Sequence, residues 1–123
     1  MTVTAYTLAV VLNLFCLFLG YRFVLQPASA ATGYGVPARP EGDAGAYLSV
    51  KGLRDGTFGV VGLVLLFFVG ARAEAWFMLA VALVPLFDTL IVLRNGGAKA
   101  TAFGIHFATA VVVLISAVLL FLV

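Results

Sequence analysis

Residues 51–69 read KGLRDGTFGVVGLVLLFFV. A lysine, an arginine and an aspartate occupy the first turn and a half, and an unbroken apolar run follows. The length predicts a helix across the hydrocarbon core of a bilayer, which takes about 20 apolar residues. Its charged start has two readings: the solvated end of an ordinary membrane helix, or part of a polar site inside the membrane. At about 100° per residue, Lys51, Asp55, Phe58 and Gly62 share a face, with Gly52, Gly56 and Gly59 on the adjoining stripe. Gly52 and Gly56 let a second helix approach closely, so Asp55 points towards packed protein. Arg54 lies about 100° round the helix, but its long stem bends back or snorkels to the interface. For Lys51 and Arg54 a snorkelling pair that sets orientation is the structural alternative. Asp55 has too short a stem for that.

The rest of the chain has the same character. It has 123 residues, 64% hydrophobic and 10% charged, with mean hydropathy +1.21. A soluble domain is nearer half apolar and about a quarter charged, so this is an integral membrane protein. Three further segments are long enough to span: about Val3 to Leu25, Glu74 to Leu93 and Ala98 to Leu122, beside Tyr47 to Val69. Short turns between the last three make them antiparallel neighbours. The expected fold is therefore all-α, a single transmembrane domain over residues 1–123 built as a four-helix up-down bundle. Residues 26–46 hold three of the four prolines and many small residues, and read as an irregular or partly interfacial loop. The first segment followed by PASAATG resembles a signal peptide, but it lacks a basic start, is too long and carries Arg22 near its end.

The net charge is +2 and the basic residues are scattered, so nothing suggests nucleic-acid binding. Arg22, Arg39, Lys51, Arg54, Arg94 and Lys99 fall on one side and Arg72 alone on the other. That bias puts the long loop in the cytoplasm and both termini outside. Cys16 has no partner for an internal disulfide and reads as a packed small residue.

Polar residues recur inside the other spans. Asp88 sits about 9 Å along its helix from Arg94, costly in a bilayer unless partnered. Pro85, just before it, leaves the Val81 carbonyl without its usual donor. His106 lies about 10 Å in from Lys99, with Thr109 on nearly the same face. In the first helix Tyr6, Asn13, Cys16 and Gly20 share a face, and Asn13 reads first as interhelical glue. Asp55, Asp88 and His106 fall at similar depth on three helices, with Arg54 close to that layer and Asn13 nearer the midplane. Their convergence predicts one shared polar site. Tyr34, beside the Gly33–Gly35 turn, is placed to reach into it.

Two carboxylates with an arginine and a histidine suggest acid–base work: one aspartate activates a water while the other protonates a departing oxygen. The chemistry would be double-bond isomerisation or epoxide opening on a lipophilic small molecule that arrives through the bilayer. The candidate residues are Asp55, Asp88, His106 and Arg54 for catalysis, and Asn13, Lys51, Tyr34 and Thr109 for ligand binding. There is no metal signature, since His106 is the only histidine and no thiolate cluster supports one, and no cofactor is expected. Two alternatives stand beside this: a non-catalytic membrane subunit or scaffold whose polar layer is structural, and a small proton-coupled transporter. Pairing of bundles into a homo-oligomer is left open.

The segments GYGVPARP, YLSVKGLRDGTFG, PLFDTLIVL and His106 in FGIHFATA also carry a resemblance. The chain resembles a family of small four-helix bacterial membrane proteins of unknown function, and distantly the DoxX-like membrane proteins. That resemblance implies a four-helix bundle in a bacterial cytoplasmic membrane with a polar site around Arg54, Asp55, Asp88 and His106. It supplies no reaction.

Overall fold

The structure is a computed structural model that describes residues 1–123. Four helices are long and apolar enough to cross a membrane: α1 (Thr2–Leu25), α3 (Asp43–Val69), α4 (Ala71–Arg94) and α5 (Lys99–Phe121). No strand is present. This is an all-α membrane bundle, and α3 and α4 begin a few residues earlier than the hydropathy pattern suggests. Large apolar side chains such as Phe67, Phe68, Trp76, Phe87 and Phe103 point outward, where only lipid can receive them.

The long connection is not irregular throughout. It contains α2 (Pro27–Tyr34), a correction with a local cause. Pro27 stands in the first turn, where its missing N–H costs nothing and its fixed φ suits a helix. Alanines continue the turns, and Gly35, at φ 99, ends them in the left-handed region that glycine enters freely. Arg22 of α1 donates from Nη2 to Ser29 Oγ at 2.9 Å, holding α2 back against the helix it follows.

The bundle is assembled from two tight pairs. α1 packs on α3, and α4 packs on α5. Glycine makes the first pair possible: a methyl group at Gly20 would sit 2.7 Å from the Gly52 carbonyl oxygen and 2.8 Å from the Gly56 nitrogen. The close approach expected of Gly52 and Gly56 is thus made by α1. At the α3–α4 turn the two pairs close on a core of Ala5, Ala9, Leu66, Ala75, Met78, Ala117 and Leu120. At the other end they splay. The Leu83–Arg94 half of α4 scarcely touches α3, and α2 lies over the gap.

Two irregularities shape that open end. α4 is interrupted at Ala82, three residues before Pro85, where the proline removes a backbone donor. α5 widens into a π-helical turn over Ala102–Phe107, a local distortion often found at functional positions. His106 lies within it.

Candidate intramembrane site

Between the splayed pairs lies a cavity of about 330 Å³, within the size range of small-molecule pockets. Its walls are mostly apolar, with Phe58, Phe77, Met78, Val81 and Val113 among them. Of the residues singled out by the sequence, Asn13, Tyr34, Lys51, Asp55, Asp88, His106 and Thr109 all line it. Arg54 does not. It is exposed and borders a second, outer cleft that it shares with Lys51, Asp55, Asp88 and Tyr34.

The cation beside Asp55 is accordingly Lys51, one turn back on the same face, with Nζ 2.8 Å from Oδ2. The four-residue spacing brings the two side chains together, whereas Arg54 projects from a different face. Two aromatic rings complete the lysine's surroundings: Nζ stands 4.5 Å from the Phe23 ring centre and 4.6 Å from that of Tyr34. An ammonium over π-faces is stabilised by the ring quadrupoles. So Lys51, in the third turn of α3, faces inward, bound to a carboxylate and flanked by aromatic rings of α1 and α2.

Tyr34 is the residue that makes α2 part of the site. Its ring centre lies 4.2 Å from that of His106 and 5.9 Å, edge-on, from that of Phe23. Its backbone carbonyl accepts a 2.7 Å hydrogen bond from His106 Nε2. A carbonyl can only accept, so Nε2 carries the proton and Nδ1 is the acceptor nitrogen in the neutral ring. Burial holds the Tyr34 phenol above its ordinary range, and the neighbouring Asp88 reinforces this. Gly35 continues the contact: a side chain there would meet Thr101 and Val92, so the turn after α2 sits down on α4 and α5. His106 and this turn together fasten the cap.

Thr109 and Asn13 are engaged by hydrogen bonds of their own. Thr109 donates to the Ile105 carbonyl at 2.6 Å, which spends its hydroxyl proton within α5. Asn13 donates from Nδ2 to the Ala9 carbonyl at 3.0 Å and to Glu74 Oε1 at 2.7 Å, joining α1 to α4. Tyr6 packs against the core at the far end and not into the cavity.

Three participants escape the sequence reading. Arg22 and Cys16 line the cavity; a helical projection of Asn13, Cys16 and Gly20 anticipates the face of the cysteine but not its exposure to a void. Glu74 is buried completely. An acid in the first turn of a helix is where the macrodipole favours one, so nothing in the sequence marks it as unusual.

The family profile of a domain of unknown function, DUF4267, matches residues 13–120. The chain belongs to the DUF4267 family. The matched region takes in every polar cavity residue named above, from Asn13 to Thr109. Searches of curated proteins and of solved structures found no match to the chain.

Proposed function

We propose that this DUF4267 protein holds a lipophilic small molecule in its intramembrane cavity and carries out acid–base chemistry on it, as an isomerase or an epoxide-opening hydrolase. The observation that carries the reading is the make-up of one void: an apolar body with Lys51, Asp55, Asp88, Tyr34 and His106 gathered at its α2 end. A scaffold needs polar groups that only satisfy one another, whereas here Lys51, Asp55, Tyr34 and His106 are partnered and still border open space, with Asp88 beside them. An apolar pocket with a few convergent polar groups is the usual form of a small-molecule site.

In this reading the ion-paired Asp55 takes up a proton or orients a water. Asp88 and the Tyr34 hydroxyl exchange protons with the oxygen or carbon that reacts. Lys51 compensates the Asp55 charge, and His106 positions Tyr34 through its backbone. The substrate slides in from the bilayer through the gap between α3 and the second half of α4. We place the α2 end at the cytoplasmic face of a bacterial membrane, with both termini outside, on the strength of the basic residues gathered there.

Native mass spectrometry of detergent-purified protein exposed to a lipid extract of its host tests this. A retained small molecule on the wild type, lost or chemically changed in Asp88→Asn, is the expected result. A wild type that stays empty, with the variant only less stable, would show the polar layer to be structural.

A further inference from the structure

Glu74 lies outside the cavity, and the acid–base reading does not use it. The residue is 0% exposed. Oε1 accepts the Asn13 amide at 2.7 Å, while Oε2 is buried with no hydrogen-bond partner. The one ion pair in the molecule is Lys51 with Asp55, so no cation meets this carboxyl. Arg72, two residues earlier on α4, is exposed. The core at this end is built from Ala5, Ala9, Leu66, Ala117 and Leu120, with the Tyr6 phenol packed against it.

A carboxylate in such surroundings would be a bare charge away from water, and a buried acid without a partner escapes that cost by staying neutral. The amide fixes the arrangement further. Asn13 Nδ2 also donates to the Ala9 carbonyl, which can only accept, so the amide nitrogen is the atom facing Glu74. Oε1 is then the carbonyl oxygen of the acid and Oε2 its hydroxyl.

We propose that Glu74 is a proton-binding site buried inside the bundle beside the α3–α4 turn, a neutral carboxylic acid held by the Asn13 amide. Asn13 lines the cavity as well, so the same side chain touches both the proton site and the void. A molecule that draws the amide towards itself removes the one hydrogen bond that the Glu74 side chain makes. The site stands on its own contacts and does not require that the cavity be catalytic.

Infrared spectroscopy of the protein in phospholipid vesicles at pH 7 is the test. The glutamates are Glu41 and Glu74, and Glu41 is exposed, so labelling with carboxyl-¹³C glutamate assigns the signal without any mutation. The wild type should show the carbonyl band of a protonated carboxyl, shifted by the label and missing in Glu74→Gln. Asn13→Ala should move the band to higher wavenumber without removing it. A wild type with no acid band, or a band that ignores the label, overturns the proposal.

Discussion

Lys51 and Asp55 show how much a single contact decides in this molecule. The lysine is 29% and the aspartate 13% exposed at the side chain, so neither is bathed in water and each needs the other. Removing one partner leaves the other charge uncompensated, while removing both does not. Lys51→Met and Asp55→Asn are each expected to lower the melting temperature in detergent, and the double variant to lose less stability than the sum of the two, with a coupling of about 1–2 kcal/mol. A thermal double-mutant cycle measures it, and Arg54→Met serves as the control with little effect. The same scale shows what the sequence discloses. Charges inside apolar helices stand out, and the i, i+4 spacing of Lys51 and Asp55 was available to be read. Glu74 was not, because its position in the first turn looks ordinary until Asn13, far away in the chain, is seen against it.

Among the elements, the α1–α3 contact and the α2 cap carry opposite lessons. The glycine stripe of α3 was legible as a surface of close approach, and Gly20 supplies its counterpart. Gly20→Val should push the helices apart and cost about 1–3 kcal/mol, as overpacking does elsewhere; thermal unfolding in detergent reads the loss. By contrast α2 was hidden, since a proline and a run of small residues mark a helix start and a loop equally well. Its fastening gives a prediction in pH. Burial raises the Tyr34 phenol, with Asp88 adding to it, so the folded state resists ionisation that the unfolded state undergoes near the ordinary tyrosine value of about 10. Stability from this source is therefore intact below about pH 10 and falls as the pH rises past it. Tyr34→Phe should flatten that alkaline decline when melting temperatures are followed against pH. An unchanged slope would show that the ring is not held as described.

For the whole molecule, two helix pairs that meet at one end and splay at the other are what create an interior. Hydropathy makes the four spans legible, and helical projection makes the polar layer legible. Neither reveals the void, which depends on the interruption at Ala82, the widened turn around His106 and the placement of α2. The account stands or falls on whether that void accepts a lipophilic molecule from the bilayer. The most direct measurement is photolabelling in vesicles with a diazirine-bearing hydrocarbon probe, with adducts located by mass spectrometry in the wild type and in the cavity-filling variant Val81→Trp. The account predicts adducts on Phe77, Val81 and Val113 in the wild type, with Phe77 and Val113 protected in the variant while outward residues such as Phe67 and Phe103 stay labelled. Labelling confined to the outward residues in both proteins would contradict it.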